Sequence, residues 1–101
     1  MNTSHTKLMM SDSALPVLLT FLPADVKPVV QEMVAQLQPQ LSGKIRVIKI
    51  EETAHPMIVQ SFDLKQLPAF VLLLQGIELW RQEGLPETNL LALLPKNLLN
   101  D

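Results

Sequence analysis

Residues 55–70 read HPMIVQSFDLKQLPAF and hold the signals that decide the fold. Pro56 suits a first helical turn, where a missing N–H costs little, and Thr53 is placed to cap that turn. Pro68 then stops any helix, and the apolar run 69–74 that follows it predicts a buried strand. The stretch therefore predicts a short helix, a proline turn and a strand. The side chains expected to be buried by the helix are Ile58, Val59 and Phe62.

Downstream, Gln75-Gly76 predicts a tight hairpin turn into a further strand at 77–82, with glycine supplying a positive φ. Gly84-Leu85-Pro86 ends that strand. A leucine-rich helix is predicted over 87–99, interrupted or kinked near Pro95. Its leucines cover more than one face, so they either pack on the sheet or leave a patch for a homodimer or a partner. Trp80 is either a packing residue or an interface anchor. Core packing is favoured for Trp80 and for the leucines.

Upstream, the continuous apolar run 14–22 predicts a strand that is buried on both faces. Asp25 is the predicted N-cap of an amphipathic helix with Pro28 in its first turn, and Pro39 is expected to kink or end that helix. Residues 44–50 predict a second strand, parallel to the first because a helix joins the two. The apolar face of the helix comprises Val26, Val29, Val30, Met33, Val34, Leu37 and Leu41.

The chain divides into a short N-terminal segment, 1–13, and a single domain, 14–101. In the segment, Thr3 or Ser4 would cap a short helix carrying Leu8 and Met9. The order of elements in the domain predicts an α/β fold, with about four strands in a mixed sheet and helices flanking it.

Composition excludes several classes of partner. The net charge is −2, only 18% of the residues are charged, and there are four aromatic side chains. Nucleic acid or an acidic membrane would require a basic stripe, so neither is expected as a partner. No apolar run approaches the roughly 20 residues that span a bilayer, and no secretory signal is recognised, so the predicted location is cytoplasmic.

The order of elements resembles the thioredoxin fold, and residues 55–70 carry the resemblance most specifically. That family shows a proline opening its short helix, an aromatic near the helix end and an apolar-Pro-Thr-apolar sequence; Pro56, Phe62 and residues 67–70 stand in those places. Pro68 would be the family's cis-proline, and Gly76 and Gly84 match glycines of the last hairpin and strand. The resemblance covers roughly residues 15–94 and implies a three-layer α/β/α sandwich, in which the family's first strand has little room.

The chain departs from the family at the site of its chemistry. The sequence contains no cysteine, so the Cys-x-x-Cys motif is missing. Ala24 and Lys27 stand near the former thiol positions, and Thr20 stands where the family has a buried, proton-handling aspartate, with Lys49 as its lysine neighbour. Since the thiolate is the nucleophile of disulfide exchange, the resemblance implies a scaffold without that activity.

No other chemistry is indicated by the residue patterns. His5 and His55 have no metal-ligand spacing around them, the serines lie in no nucleophile elbow, and no glycine loop for phosphate exists. Relatives of this fold that bind glutathione use a serine or tyrosine at the first helix, where this chain has Ala24-Asp25. The sequence therefore predicts no catalytic residue, no metal and no cofactor.

The remaining prediction is binding. In thioredoxin-like proteins the residue before the cis-proline offers its backbone to an extended peptide, which here would be Leu67. The predicted peptide-binding surface comprises Pro23, Ala24, Asp25, Leu67, Pro68 and Leu85. The first hypothesis is a redox-inactive module that binds or scaffolds a protein or peptide. The alternatives are a non-thiol enzyme such as a glutathione-transferase-like protein, a purely structural subunit, and a proline turn retained for structure alone.

Overall fold

A computed structural model describes residues 15–98, so the helix predicted around Leu8 and Met9 lies outside the described residues. The elements are listed here in chain order. They are β1 (Val17–Leu22), α1 (Pro28–Leu41), β2 (Arg46–Glu51), α2 (Pro56–Ser61), β3 (Ala69–Leu74), β4 (Ile77–Glu83), α3 (Leu90–Leu93) and a 3-10 turn (Lys96–Leu98).

The strands form one mixed sheet in the order β2-β1-β3-β4. β1 runs parallel to β2, while β3 is antiparallel to both β1 and β4. The strands β1 and β3 lie in the middle, which explains why their sequences are nearly continuous apolar runs. The predicted mixed sheet of about four strands and the parallel β1–β2 pair are confirmed.

Helices cover both faces of the sheet. On one face, Leu18 and Leu72 pack with Leu37 of α1 and Leu90 of α3. On the other face, Val59 of α2 packs against the opposite side of the strands, and the Phe62 ring that follows it lies 5.1 Å from the ring of Phe21. The result is the predicted three-layer α/β/α arrangement. Among residues 15–98 no helix has the length and apolar character needed to cross a membrane.

The start of α1 differs from the prediction. Asp25 lies in the turn before the helix, and the N-cap is Lys27, whose side chain makes no capping hydrogen bond. The reason is Pro28 at the first helical position: a residue that precedes proline is held in extended backbone, so the helix cannot begin any earlier. Pro39 does not stop α1 either, because the helix continues through it to Leu41.

In α2, the N-cap is His55 rather than Thr53, and no side chain caps the helix. The helix is six residues long and turns only a narrow stripe toward the sheet, which is filled by the buried Val59. Ile58 therefore remains 40% exposed, although it was expected to be buried.

The terminal helix predicted over 87–99 is much shorter than expected. Asn89 caps α3 by accepting a hydrogen bond from the Leu91 N–H, and the helix ends after one turn. Pro95 has no N–H to donate and pushes Leu94 into extended backbone, so only a 3-10 turn follows. Leu90 and Leu94 are buried and Leu93 is exposed, while Trp80 packs against the core, as favoured above.

Candidate functional site

Five of the six residues predicted to bind a peptide meet at one depression of about 230 Å³. We call it the Pro68 groove. Ala24 does not line it, because its side chain is exposed in the turn after β1. The groove is lined by Pro23, Asp25, Val26, Lys27, Val30, Leu67, Pro68 and Leu85.

The first wall of the groove is the junction between β1 and α1. β1 is a central strand of the sheet and ends at Leu22. Pro23 breaks the strand just before the turn that leads to α1. Val30 is anchored in a small buried cluster with Leu22 and Val34. Because that cluster fixes the first turns of α1 against β1, the position of this wall is set by core packing.

The second wall is the bend between α2 and β3. The Leu67–Pro68 peptide bond is cis, and the Pro68 carbonyl accepts a hydrogen bond of 2.7 Å from the Gly84 N–H, which ties the bend to the end of β4. Among residues 15–98 no hydrogen bond uses the backbone N–H or C=O of Leu67. The groove therefore carries an unused backbone donor and acceptor beside apolar side chains.

An Arg81-centred clamp holds the segment that leads into this bend. The Arg81 guanidinium lies 2.7 Å from Glu78 and 2.8 Å from Glu83, and it donates to the Phe62 carbonyl at 3.1 Å. A Glu83 oxygen accepts the Lys65 N–H at 2.9 Å. β4 thus fixes the backbone between α2 and Pro68 at two points.

The clamp shifts the titration of its own members. The hydrogen bond from Arg81 lowers the pKa of Glu78, and the Lys65 N–H, followed by Arg81, lowers the pKa of Glu83. The two carboxylates raise the pKa of Arg81 in turn. Sequence reasoning missed these residues, although the charge alternation of Glu78, Arg81 and Glu83 on one strand was visible.

The positions named for the lost redox site lie on different elements: a strand, a turn and a helix N-cap. Thr20 is fully buried on the α1 side of the sheet, and its Cα partner in β2 is Lys49, whose side chain is exposed. Ala24 is exposed in the turn, and Lys27 lines the Pro68 groove as the N-cap of α1. No cysteine exists in the chain, so the groove offers no thiol nucleophile.

The character of the groove is apolar, with one charge of each sign. Asp25 and Lys27 are its ionisable side chains, and the others are proline, valine and leucine. Across residues 15–98, no three His, Asp or Glu side chains lie close enough together to hold a metal ion. The arrangement can bind an apolar side chain and pair with a main chain.

Comparisons with known proteins agree with this architecture. The germline-specific thioredoxin Deadhead of Drosophila melanogaster is 25% identical, with a TM-score of 0.70 and 93% of each chain covered. A malarial protein is 21% identical, with a TM-score of 0.65, over 78% of this chain and 92% of its own, which bears on the fold alone. No family model matches the sequence, and no curated protein matches it significantly. The chain therefore has a thioredoxin-like fold and is similar to a thioredoxin, and the absence of cysteine fits a divergent relative without the Cys-x-x-Cys motif.

Proposed function

We propose that this chain is a redox-inactive binding or scaffolding module, and that it holds an extended segment of a partner protein in the Pro68 groove. The observation that carries the proposal is the unused backbone N–H and C=O of Leu67 beside an apolar depression. A partner strand would pair with that donor and acceptor by main-chain hydrogen bonds. One apolar side chain of the partner would fill the space between Val30 and Leu85.

The two charged side chains of the groove favour a particular kind of partner segment. Asp25 and Lys27 lie on the α1 side, so the partner segment would be apolar at its centre and polar where it passes the helix. A strongly charged segment would lose solvation against Pro23 and Leu85 without gaining a buried ion pair. We therefore expect an apolar peptide of low net charge.

Paired substitutions of exposed leucines test the proposal. Leu85 is 50% exposed in the groove, while Leu79 is 43% exposed on β4 and does not line it. A partner captured by the purified chain and identified by mass spectrometry should be lost with Leu85→Ser and kept with Leu79→Ser. Because both side chains are exposed, both variants should keep the wild-type circular dichroism spectrum. Equal retention by the two variants would contradict the proposal.

The backbone contribution has its own variant. Leu67→Pro removes the free N–H, and Leu67→Val shortens the side chain while leaving that N–H in place. We expect the captured partner to be lost with the proline and retained with the valine. Retention with the proline, in a protein that still shows the wild-type spectrum, would show that the main chain of Leu67 is not used.

The cytoplasmic location and the homodimer stay predictions. Fractionation of cells that express the tagged chain measures the first, and light scattering on the purified chain measures the second.

A further inference from the structure

The outer edge of β4 is a second surface with unused backbone groups. In the order β2-β1-β3-β4, β4 pairs with β3 and with no other strand among residues 15–98. The neighbours Leu72 and Leu73 of β3 face Trp80 and Glu78. Leu79 is therefore an extra residue, which forms a bulge in β4.

Hydrogen bonds at the end of β4 fix which backbone groups point outward. The Gly84 N–H donates to the Pro68 carbonyl of the neighbouring segment, so the groups of residue 84 point inward. Because the direction alternates along a strand, the N–H and C=O groups of Glu83 and Arg81 point outward. The Glu83 carbonyl already accepts from the side chain of Gln82 at 3.3 Å.

The hairpin turn fixes the direction of the groups before the bulge. Residues 75 and 76 form a two-residue turn with positive φ, which pairs Ile77 with Leu74. The groups of Ile77 therefore point inward, and those of Glu78 point outward. The outward N–H and C=O groups of Glu78 and Arg81 make no hydrogen bond among residues 15–98. The edge thus has an unused donor and acceptor on each side of the bulge.

The charges of the edge select how a second copy would pair with it. A two-fold axis normal to the sheet makes two β4 edges antiparallel, and each outward residue then faces an outward residue of the other copy. An axis through Glu78, Arg81 or Glu83 sets that residue against itself, so like charges meet. An axis through the bulge sets Glu78 of each copy against Arg81 of the other, so opposite charges meet at both positions.

An axis through Gln82 also brings opposite charges together, because it sets Arg81 against Glu83. It would require the Glu83 carbonyl, which the Gln82 side chain already engages. It would also pair only residues 81–83, because Gly84 has a φ of +82° and ends the strand. The axis through the bulge instead pairs nearly the whole of β4 and uses every unused group. It is therefore the arrangement that the backbone and the charges both favour.

The side chains near the bulge also complement one another in this arrangement. Glu78 and Arg81 are partly exposed and lie 2.7 Å apart on the α2 side of the sheet. With the same two residues of a second copy they form a ring in which the charges alternate in sign. Ile77 is 65% exposed and Leu79 is 43% exposed in the single chain. The two Leu79 side chains meet at the axis, so the pairing removes apolar surface from water.

From these observations we propose that two copies of this chain pair antiparallel through their β4 edges, about a two-fold axis at the Leu79 bulge, so that one sheet runs through both. Main-chain hydrogen bonds and ion pairs join Glu78 of each copy to Arg81 of the other. The interface is separate from the Pro68 groove. The inference goes beyond the proposed function and does not depend on it.

Sedimentation equilibrium of the full chain measures the dissociation constant of the dimer. Glu78→Lys places like charges together at both cross-strand positions, so we expect it to raise that constant by about tenfold or more. Glu32→Lys makes the same change of charge on the exposed side of α1 and is the matched control, which should leave the constant unchanged. A wild-type chain that stays monomeric at its highest soluble concentration would overturn the proposal, and so would equal constants for the two variants.

Mixing two variants tests the pairing of the charges. Arg81→Glu also sets like charges against each other, but a dimer of one Glu78→Lys chain and one Arg81→Glu chain has opposite charges at both positions. We expect the mixture to associate more tightly than either variant alone. The absence of any gain, with both variants showing the wild-type circular dichroism spectrum, would contradict the bulge axis. The cysteine variants below keep Arg81, so they decide the question if Arg81→Glu does not fold.

Cysteine cross-linking locates the axis, because the chain has no other thiol. The bulge axis brings the Leu79 Cα atoms of the two copies within about 6 Å, a separation that a disulfide can span. Leu79→Cys should therefore form a covalent dimer on mild oxidation with diamide. Leu85→Cys replaces a similarly exposed leucine of the Pro68 groove and should stay monomeric. No covalent dimer with Leu79→Cys, or equal yields from the two variants, would overturn the proposal.

Hydrogen exchange in the wild-type chain excludes other occupants of the edge. The Glu78 and Arg81 amides should become protected as the protein concentration rises, while the Glu83 amide stays unprotected. Protection at Glu78 and Arg81 that is independent of concentration would mean that the chain's own residues cover the edge. Protection of Arg81 and Glu83 without Glu78 would place the axis at Gln82, and either result would overturn the proposal.

Discussion

Thr20 carries a fully buried hydroxyl that finds no hydrogen-bond partner among residues 15–98. Its neighbours along β1 on the same face are Leu18 and Leu22, which pack in the core beneath α1. Burying a hydroxyl without a partner costs roughly 1–3 kcal/mol. The hydroxyl therefore destabilises the domain, and a valine of nearly the same shape should fit better.

We predict that Thr20→Val raises the free energy of unfolding by about 1 kcal/mol. Thr20→Ser is the matched control: it keeps the hydroxyl and loses a buried methyl, so it should lower stability by about 1 kcal/mol. Urea unfolding followed by tryptophan fluorescence measures both. A destabilised valine variant would show that the hydroxyl has a partner that the described residues do not include.

Gly43 and Gly84 have the same backbone conformation but different surroundings, so together they distinguish the cost of backbone strain from the cost of a steric contact. Gly43 and Gly84 have φ values of +83° and +82°. A Cβ at residue 43 would meet nothing within 4 Å, while one at residue 84 would lie 2.8 Å from the side chain of Gln66. Left-handed backbone costs an ordinary residue roughly 1–2 kcal/mol.

We predict that Gly43→Ala lowers the free energy of unfolding by about 1 kcal/mol, and that Gly84→Ala lowers it further because Gln66 must also move. Chemical denaturation of the two variants gives the comparison. When Gln66→Ala is added to Gly84→Ala, the loss of unfolding free energy caused by the alanine at residue 84 should fall to that of Gly43→Ala. An undiminished cost would place the strain in the Gly84–Pro68 hydrogen bond instead.

At the scale of elements, the clamp on β4 makes stability depend on pH. The pKa values of Glu78 and Glu83 are lowered by their hydrogen bonds. A carboxyl whose pKa is lower in the folded state stabilises it above the ordinary carboxyl pKa of 4.5, and this contribution is lost as the pH falls through the lowered value. We predict that Arg81→Gln reduces stability at neutral pH, and that its effect shrinks as the pH falls below 4.5 and through the lowered pKa values, where both carboxylates become protonated.

Urea unfolding of the wild type and of Arg81→Gln across that pH range measures the difference between their unfolding free energies. Arg46→Gln is the control, because Arg46 is exposed on β2 and belongs to no ion pair among residues 15–98. Its difference from the wild type should stay small at every pH. A difference for Arg81→Gln that persists in acid would assign its role to the Phe62 carbonyl rather than to the carboxylates.

The elements also show what the sequence could and could not predict. β3 was predicted with its observed bounds because Pro68 and the Gln75-Gly76 turn punctuate an apolar run, and both turn residues do adopt positive φ. The prediction of Asp25 as the N-cap was wrong. Pro28 holds Lys27 in extended backbone, and this constraint outweighs the preference of aspartate for the cap position. The leucine pattern of 87–99 overestimated α3, because the helix begins only after its cap Asn89 and Pro95 ends it instead of kinking it.

For the candidate site, the apolar and backbone residues were predictable and the clamp was not. Leu67, Pro68 and Leu85 stand at breaks between elements, where a local pattern places them. Arg81 acts on Phe62, nineteen positions earlier in the chain. A contact of that separation exists only once β3 and β4 have paired, so no local pattern in the sequence could indicate it.

At the scale of the whole molecule, the scaffold is thioredoxin-like, and the positions that the resemblance assigns to its chemistry lie on different elements. By that resemblance Thr20 stands where an acid is expected in β1, while Ala24 lies in an exposed turn and Lys27 is the N-cap of α1. Restoring the two thiols alone therefore leaves the buried position beside Lys49 without a group that can accept a proton. Asp25, between the two restored thiols, would also raise their pKa values, because a nearby carboxylate disfavours a thiolate.

We predict that the double variant Ala24→Cys with Lys27→Cys reduces insulin disulfides no faster than a free dithiol at the same concentration. The insulin turbidity assay measures the rate, and Ala24→Cys alone corrects for the reactivity of one exposed thiol. The N-terminus of α1 favours a thiolate at residue 27, but the carboxylate of Asp25 opposes it, and Thr20 offers no second group that could manage the proton. A double variant clearly faster than the dithiol would mean that the sheet and α1 still hold everything except the sulfur atoms. The loss would then be confined to the two thiol positions, and Thr20 would be a neutral replacement.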